Sequence, residues 1–399
     1  MAFDVVVVGA GAIGASAALH LARAGARVLI LEKESRPAQH QSSRNSGVIH
    51  AGYNLKPGTV KAKYCVEGSR RLREYCRERR IPMVQGGILI VARTEAERAT
   101  LAELHRRAQG NGVQSRIVPA DEIPAIEPEA RGVEALHAPE GASFDPVRYV
   151  ELLLQDARAA GAEVRYDVTV RSIGDQGNGA RVRTASDTWE VGVALNCAGL
   201  YADRLAGPFA SDLRIIPFRG LYAELVAERR ALIRSHVYAV PDLTFPFLGV
   251  HLSRRADGRV IVGPGAMLAF GREAYTLSAI DLRDLAGTLI WPGFWRMVLQ
   301  RRFLGLVRSE VTKSLSLREV WKEAQLLVPA LRPGDLVRSY AGNRAQVVNR
   351  AGELVDDIVV RESERTVHVL NAVSPGLTCS LPFGEHLAKL CASRLSRIS

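Results

Sequence analysis

Three glycines and one carboxylate near the start of the chain have the spacing of a nucleotide-binding site. Gly9, Gly11 and Gly14 form a G-x-G-x-x-G pattern, and Glu32 follows farther along the chain. In such a site the first glycine makes a tight turn, the second admits a pyrophosphate, and the third lets a helix pack on a strand. Glu32 is placed to accept hydrogen bonds from a ribose diol. A glycine-rich turn in another kind of α/β protein is the alternative.

The segments around these glycines favour the nucleotide site. The apolar run Val5–Val8 predicts a strand that is buried on both faces. A helical pattern over Ala15–Ala24 ends at Gly25, and a second apolar run covers Arg27–Leu31. Strand, helix and strand make a complete βαβ unit, whose helix N-terminus attracts an anion. We therefore expect a dinucleotide on this unit.

A polar loop follows over residues 40–53, which read HQSSRNSGVIHAGY. Its small polar side chains are suited to binding a cofactor phosphate or the edge of a ring, although an ordinary surface turn has the same composition. These side chains are Ser42, Ser43, Asn45 and Ser46. Pro57 is then predicted to open a helix on which Lys61 and Lys63 lie outside the packing stripe.

Composition excludes several classes of protein. A hydrophobic content of 47% describes a soluble globular chain, and no segment has the apolar length of a membrane span. The first core strand begins close to Phe3, so we expect no signal peptide. Five scattered cysteines make no disulfide framework and no metal-binding cluster, which favours a reducing cytoplasm.

The net charge of +11 leaves three interpretations open. The excess of basic residues can steer anionic substrates, touch an anionic membrane, or cover a solvated surface. We favour the solvated surface, with a peripheral contact on the inner membrane as the second choice. Nucleic acid is disfavoured because the sequence has no nucleic-acid-binding motif.

The length of 399 residues predicts two domains. Alternating apolar runs at 215–218, 222–226, 237–240, 247–251 and 260–263 predict an antiparallel meander beside the parallel sheet. We expect a nucleotide-binding domain assembled from residues 1–80, 146–213 and 335–399, and a substrate domain made of residues 81–145 and 214–334. Asp145 and Pro146 are predicted to cap and begin a helix.

Longer segments resemble the L-2-hydroxyglutarate dehydrogenase/oxidase family. They are GAGAIGASAALHLARAG, SSRNSGVIHAGYNLKPGTVKAKYCVEG, PFRG, VPDLTFPFLGVHLSRRADGRVIVGP and HVLNAVSPGLTCS. This family belongs to the FAD-dependent amine and hydroxyacid oxidoreductases, which include the D-amino-acid and glycine oxidases. The resemblance implies an α/β fold: a Rossmann-like FAD-binding domain of the glutathione-reductase, D-amino-acid-oxidase-like type, with an inserted α+β substrate domain on an antiparallel sheet.

The resemblance implies FAD and assigns residues to it. Val170 matches the strand residue that faces adenine, and Ala198 matches a second approach to the pyrophosphate. Gly376 matches the start of a helix facing the flavin, whose positive end stabilises the charge of the reduced ring. The full set of implied FAD contacts is Gly9, Gly11, Ala12, Ile13, Gly14, Glu32, Lys33, Ser42, Ser43, Asn45, Ser46, Gly47, Val170, Ala198, Gly199, Gly342, Gly376, Leu377 and Thr378.

The implied reaction is oxidation of L-2-hydroxyglutarate to 2-oxoglutarate. It needs a hydride acceptor, a base for the hydroxyl proton, and cations for the carboxylates. His50 in NSGVIHAG and His251, predicted to end a strand in FLGVH, are the candidate bases, since a neutral imidazole suits this role near pH 7. A buried structural histidine is the alternative at each position.

Arginine is the natural partner of the substrate carboxylates because its planar guanidinium binds them with two hydrogen bonds. Arg344 and Arg219 are the candidates, with Asn343 beside Arg344 and with Tyr53 and Lys56 closing the rim. The sequence departs from the family pattern at Asn343 and in the SPGLTCS turn, which leaves the exact substrate open.

Two other functions stay open at this stage. One is an FAD-dependent amine or amino-acid oxidase, which shares the fold, and the other is a non-catalytic dinucleotide-binding protein. The electron acceptor is also open among oxygen, a quinone and a carrier protein. The segment Leu289–Arg308 mixes aromatic, aliphatic and arginine residues, and we predict one helix after Pro292. It is either a core helix of the substrate domain or a face that rests on an anionic membrane.

Overall fold

Apolar runs form the strands of the protein, and periodic segments between them form the helices. The computed structural model describes residues 2–243, 249–372 and 374–396, apart from the side chains of residues 301, 302, 304 and 306–309. The strands are β1 (Val5–Val8), β2 (Val28–Leu31), β3 (Val48–Ile49), β4 (Met83–Gln85), β5 (Ile88–Ala92), β6 (Arg116–Pro119), β7 (Glu134–Ala138), β8 (Ala142–Phe144), β9 (Glu163–Arg165), β10 (Ser172–Gln176), β11 (Gly179–Arg183), β12 (Thr188–Val191), β13 (Val193–Asn196), β14 (Leu213–Leu225), β15 (His236–Ala239), β16 (His251–Arg254), β17 (Val260–Gly263), β18 (Met267–Leu268), β19 (Leu336–Asn349), β20 (Val359–Glu362) and β21 (Thr366–Asn371).

The α-helices of the described residues differ widely in length. They are α1 (Ala12–Arg23), α2 (Val60–Glu78), α3 (Arg98–Gly110), α4 (Ile123–Ile126), α5 (Pro146–Ala159), α6 (Ala202–Ala206), α7 (Leu282–Leu289), α8 (Pro292–Val298), α9 (Arg301–Leu315), α10 (Leu317–Gln325) and α11 (Gly376–Leu395). None of the helices in the described residues combines the length and the apolar character needed to cross a bilayer.

A parallel sheet carries the glycine-rich segment. Its strand order is β20-β21-β13-β1-β2-β9, and only the edge strand β20 runs antiparallel to its neighbour. The strands β1 and β2 are completely buried, and residues of α1, α2, α5 and α11 share a hydrophobic core with them. The predicted βαβ unit is therefore confirmed.

A second, nine-stranded sheet lies in the other part of the chain. Its order is β18-β14-β17-β16-β15-β5-β7-β6, with β19 paired to β14. Every pair is antiparallel except β15 with β5, so the predicted antiparallel sheet has one parallel join. The two short strands predicted around Gly220 form one thirteen-residue strand, β14, with a register shift between Leu221 and Ala223.

The strands of the parallel sheet all come from the three stretches assigned to the nucleotide-binding domain. The long strand β19, which lies in the third of these stretches, pairs instead with β14 of the second sheet. The exact domain bounds therefore stay a prediction.

Two predicted boundaries are wrong for local reasons. His251 begins β16 instead of ending a strand, because it pairs with Tyr238 and the strand continues to a turn after Arg254. Phe247 and Leu248 of the predicted strand lie outside the described residues. The helix α2 begins at Val60, where the Thr59 side chain accepts a hydrogen bond from the backbone N–H of Ala62.

The cap predicted for α5 is confirmed. The Asp145 carboxylate accepts hydrogen bonds from the backbone N–H groups of Val147 and Arg148, and Pro146 is the first helical residue. By contrast, the single helix predicted after Pro292 is two helices, α8 and α9, that are separated at Leu299 and Gln300.

A buried ion pair joins the two parts of the chain. Arg272, which precedes α7, makes two hydrogen bonds to Asp203 of α6, at 2.5 and 2.9 Å. Both side chains are only 4% exposed. Asp203 also accepts a hydrogen bond from the backbone N–H of Ile215, at the start of β14. The pair thus fixes the loop before α7 against α6, the helix that follows β13 of the parallel sheet.

Replacing Arg272 with Met should destabilise the protein by about 3–5 kcal/mol, because it leaves the Asp203 carboxylate buried without its cationic partner. Chemical denaturation followed by circular dichroism measures this loss. The exposed pair of Arg70 and Glu74 provides the control, since surface ion pairs contribute little. Equal stability of Arg272→Met and Arg70→Met would show that the buried pair does not hold the two parts together.

Candidate active site

A large cavity runs between the parallel sheet and the second sheet. Its volume is about 1230 Å³, above the roughly 300–1,000 Å³ of ordinary ligand pockets. One end is formed at the carboxyl ends of β1 and β2, near Val8 and Leu31, and the other lies beside β14 and β19. The cavity has room for a dinucleotide and a small substrate together.

Most of the predicted site residues line this cavity. They are Gly9, Gly11, Ala12, Ile13, Gly14, Glu32, Lys33, Ser42, Asn45, Ser46, His50, Val170, Ala198, Gly199, His251, Gly342, Asn343, Arg344, Gly376, Leu377 and Thr378. Residues that the sequence separates by more than 300 positions are thus brought to one space. The predicted residues outside its lining are Ser43, Gly47, Tyr53, Lys56 and Arg219.

The glycine turn leaves no room for side chains. Gly9 has φ +103°, and a Cβ on it would lie 2.5 Å from the carbonyl oxygen of Cys197. A Cβ on Gly14 would lie 2.0 Å from the carbonyl oxygen of Gly9. Helix α1 follows directly and has no side-chain cap from Gly11, but the backbone N–H of Ala12 donates to Ser42 Oγ at 3.0 Å. The helix N-terminus therefore opens toward the cavity beside a hydroxyl group.

Glu32 is fixed by the backbone around it. Its Oε2 accepts a hydrogen bond from Ala10 N–H at 2.7 Å, and its Oε1 accepts one from Glu34 N–H at 3.0 Å. These bonds orient a buried carboxylate at the cavity wall, as a ribose-binding acid requires. Lys33 lies beside it, with its ammonium group paired to Glu34 and Glu273.

A second helix N-terminus faces the cavity. Helix α11 begins at Gly376 without a side-chain cap, and Gly376, Leu377 and Thr378 all line the cavity. Thr378 Oγ1 accepts a hydrogen bond from the backbone N–H of His50 at 3.2 Å, which ties the polar loop to this helix. The positive end of the helix favours negative charge on a bound group.

The two candidate histidines meet at this end of the cavity. Burial lowers the pKa of His50 to about 4, and the charge of Lys61 contributes to the shift. Burial likewise lowers the pKa of His251 to about 3. His251 Nδ1 lies 3.0 Å from the Gly249 carbonyl oxygen, and its ring stacks on Tyr238 with centroids 4.1 Å apart. Both imidazoles are therefore neutral near pH 7.

Arg344 supplies positive charge at the same end. Its Nη1 donates to the carbonyl oxygen of Gly265 at 3.0 Å, and burial lowers the pKa of the guanidinium. The sheet register separates it from the other predicted arginine. Arg219 pairs with Asn343, and Arg344 pairs with Phe218, so the two arginines belong to opposite faces of the sheet.

Arg219 is therefore directed elsewhere. It is fully buried, and its Nη1 donates to the carbonyl oxygens of Ala274 and Thr276. Asn343 lies on the same side, where its Nδ2 donates to the Arg272 carbonyl oxygen at 2.9 Å. Asn343 still borders the cavity, whereas Arg219 does not. A direct contact of Arg219 with substrate is thus not supported by its position.

The remaining predicted residues support the site from outside. Tyr53 is buried in a neighbouring apolar cluster, and Lys56 is exposed at the rim of a second, smaller cavity. Ser43 Oγ donates to the His40 carbonyl oxygen. Gly47 has φ +70°, and its N–H donates to Asn45 Oδ1, so it turns the loop into β3.

The sequence did not predict several residues that line the large cavity. Tyr222 lies two residues beyond Gly220 on β14 and borders the cavity, as does Tyr238 on β15. Period-two alternation from the predicted Arg219 leads to Leu221, so the sequence pattern did not indicate Tyr222. Lys61 was expected outside the packing stripe but is buried, since its ammonium pairs with Asp356 from a distant loop. No pattern in the sequence near Lys61 predicts its pairing with Asp356.

These features together define a flavin-dependent oxidoreductase, and the chain belongs to the FAD dependent oxidoreductase family, whose model matches residues 4–390. The residues fit FAD: two helix N-termini whose own cap residues supply no side-chain hydrogen bond, glycines that exclude side chains and an anchored acid all face one cavity.

Individual relatives are similar over the whole chain. L-2-hydroxyglutarate dehydrogenase of Indibacter alkaliphilus is 37% identical, with 99% of this chain and all of the relative covered. The mitochondrial L-2-hydroxyglutarate dehydrogenase of Mus musculus is 36% identical, covering 97% of this chain and 88% of the relative. Among solved structures, L-alpha-glycerophosphate oxidase from Mycoplasma pneumoniae with FAD bound superposes with a TM-score of 0.78 at 25% identity, over 98% of this chain and 94% of that one.

Replacing Gly14 with Ala should abolish FAD binding, because the new Cβ would collide with the Gly9 carbonyl oxygen and displace the turn. The flavin absorbance of the purified protein and its uptake of added FAD measure the effect. Gly174→Ala is the matched control, since a Cβ there meets no atom within 4 Å. A Gly14→Ala protein that retains full FAD occupancy would contradict the assigned cofactor turn.

Proposed function

We propose that the protein oxidises L-2-hydroxyglutarate to 2-oxoglutarate with FAD as the oxidant. The observation that carries the proposal is the meeting of His50, His251 and Arg344 at the end of the cavity beside the N-terminus of α11. That arrangement offers a neutral base, a carboxylate-binding cation and a positive helix end. The names of the relatives at 36–37% identity supply the substrate.

The residues of the chain divide the work of the reaction. Bound FAD supplies the hydride acceptor for the α-carbon of the substrate. Gly9, Gly11, Gly14 and Glu32 would hold its pyrophosphate and adenosine ribose, and the N-terminus of α11 would stabilise the negative charge of the reduced ring. The protein itself must remove the hydroxyl proton and hold the carboxylates.

His50 is the proposed base. A base must accept a proton and release it in every turnover, and His50 lies where the large cavity meets a second one. His251 is less suited to carrying charge, since burial lowers its pKa to about 3 and its ring is stacked on Tyr238. Its Nδ1 is engaged with the Gly249 carbonyl, which fixes the ring. His251 therefore serves to orient the substrate.

Arg344 is the proposed carboxylate partner. Its guanidinium is partly buried and is anchored by the Gly265 carbonyl oxygen, so little side-chain freedom is lost on binding. Tyr222 lies on the neighbouring strand and borders the same space, where its hydroxyl can donate to a carboxylate.

Anaerobic flavin bleaching should separate the proposed substrate from those of the related amine oxidases. L-2-Hydroxyglutarate should reduce the flavin, whereas glycine and D-amino acids should not. Replacing Arg344 with Met should raise KM at least ~10-fold, because ground-state binding of a carboxylate is lost. Flavin reduction by amines alone would overturn the hydroxy-acid assignment. A colourless protein that takes up no FAD would contradict the proposal that it is an FAD-dependent enzyme.

Replacing His50 with Gln should slow flavin reduction by about 10²–10⁴-fold, because the amide cannot accept the hydroxyl proton. Stopped-flow absorbance under anaerobic conditions measures the rate. His251→Gln is the matched control and should reduce the rate less. The imidazole acts in its neutral form, so the wild-type rate should be flat near pH 7 and fall only as pH approaches about 4. If His251→Gln has the larger effect, the roles of the two histidines are reversed.

We further propose that the electrons pass to a membrane quinone through a peripheral contact. An exposed group of side chains, here named the apolar patch, lies on α7 and α8 next to lining residues of the large cavity. The patch consists of Leu282, Leu289, Ile290, Trp295 and Leu299, with Ile290 79% and Trp295 49% exposed. Exposed Arg283 and Arg296 lie beside it.

Charge favours an anionic membrane as the occupant of this patch. The chain carries a net charge of +11, and the patch combines apolar side chains with arginines in the manner of an interfacial helix. The segment Leu289–Arg308 has both buried and exposed apolar side chains. Phe294, Met297 and Phe303 are buried in a core cluster, as the core-helix interpretation requires. Trp295 and Leu299 are exposed, as a membrane-binding face requires.

The doubly substituted variant Ile290→Glu with Leu299→Glu should lose binding to anionic vesicles, because it places negative charge on the apolar patch. Sedimentation with phosphatidylglycerol vesicles at low and high salt measures binding, and a ubiquinone analogue in the vesicles measures electron transfer. Leu326→Glu is the control, since this leucine is also exposed, at 58%, but lies beyond α10. Wild-type protein that stays in the supernatant at every salt concentration would refute the membrane contact.

A further inference from the structure

A second cavity of about 130 Å³ adjoins the active-site cavity. The two share His50, Ser374 and Pro375 in their walls. The lining of the second cavity is mostly polar and charged, and it includes Asn54, Lys56, Thr59, Lys61, Arg107, Asp242, Asp356 and Asp357. Its volume is enough for several water molecules at about 30 Å³ each. His50 thus stands between the reaction space and a separate polar chamber.

Charged groups connect this chamber to the surface. Lys61 is only 6% exposed, and its Nζ lies 2.7 Å from Asp356 Oδ1. The Asp356 side chain is 70% exposed, so the pair runs from the protein interior to solvent. Asp357 is held beside it by the backbone N–H groups of Val60 and Lys61 at the start of α2. The buried ammonium of Lys61, the exposed carboxylate of Asp356 and the second cavity therefore lie together.

The groups that face His50 come from several elements. Lys61 and Cys65 approach it from α2, where Cys65 Sγ contacts the His50 carbonyl oxygen at 3.5 Å. His236 and His251 face it from the second sheet, and burial lowers the pKa of both to about 3. Arg344 lies farther along the same cavity wall. Lys61 is therefore the charged group that acts on His50 from the side of the chamber.

The reaction makes a proton route necessary. In the proposed reaction the hydroxyl O–H bond of the substrate breaks and an N–H bond forms on His50, while the α-C–H bond breaks and its hydride, with two electrons, would be accepted by FAD. The imidazolium must lose this proton before the next turnover. At that moment cofactor and substrate would fill the large cavity, which leaves the second cavity as the space for water beside His50.

We propose that the second cavity is the exit for the proton that His50 removes from the substrate, and that the Lys61–Asp356 pair directs it outward. This inference rests on the proposed function with His50 as the base. The N–H bond of the imidazolium breaks, and the proton passes through water in the chamber to bulk buffer. The ammonium of Lys61 opposes retention of the proton on His50, and the exposed carboxylate of Asp356 attracts it toward solvent.

Lys61 is a positioning residue in this scheme, and Lys61→Met tests it because methionine keeps the length without the charge. Histidine-selective NMR titration, with the His50 signal assigned from the His50→Gln variant, should show the His50 midpoint rising by about 0.5 unit or more from its low wild-type value. That shift corresponds to an about threefold or larger loss of base at acidic pH. Lys61→Arg should restore the wild-type midpoint.

Proton release gives a second readout. Stopped-flow with a pH-indicator dye in weak buffer should show release that keeps pace with flavin bleaching in the wild type. In Lys61→Met the rate of proton release should be severalfold lower than the rate of flavin bleaching. Asp356→Asn, at an exposed position that does not threaten folding, should also slow release without raising the His50 midpoint. Lys63→Met makes the same charge change at an exposed position two residues away and should behave as wild type.

The outcomes separate this inference from the proposed function. Wild-type midpoints and release rates in both Lys61→Met and Asp356→Asn would overturn the exit route. If His50→Gln slows flavin reduction in the same experiments, the base assignment stands and only the exit route fails. If His50→Gln leaves flavin reduction unchanged, the base lies elsewhere and the exit route falls with it.

Discussion

The antiparallel pairing of β14 with β19 is the constraint on which the active site depends. These long strands pair from Leu213–Asn349 to Leu225–Leu336, and they carry Tyr222 and Arg344 to the cavity. At Gly342 the second strand touches the polar loop of the other part of the chain, where a Cβ would lie 1.9 Å from the Arg44 carbonyl oxygen. A one-residue slip would exchange the faces of every side chain on these strands and remove Arg344 from the site.

Local signals in the sequence predicted the glycine turn and the helix cap that the structure shows. The glycine spacing, the apolar runs beside it and the Asp145 cap each depend on residues close together in the chain, so their physical consequences follow from the sequence itself. The two segments that carry the family resemblance, NSGVIHAG and SPGLTCS, also border the cavity, through His50 and Thr378.

The substrate side was harder because register and burial are set by distant partners. Arg219 and Arg344 are equally suitable as residue types, and only the pairing of β14 with β19 assigns them to opposite faces. Lys61 resembles any exposed helix lysine until Asp356 approaches it from nearly 300 residues away. The break between α8 and α9 likewise follows no proline or glycine signal, so a single helix was the natural expectation.

The two helix ends at the cavity have a consequence for the stability of the protein. In α1 only the N–H of Ala12 has a side-chain partner among the described residues, Ser42 Oγ, and the cap residue of α11 supplies none, so a bound dinucleotide would satisfy further N–H groups and favour the folded state by mass action. The apoprotein would lack this contribution, so its unfolded fraction would be larger than that of the FAD-loaded protein.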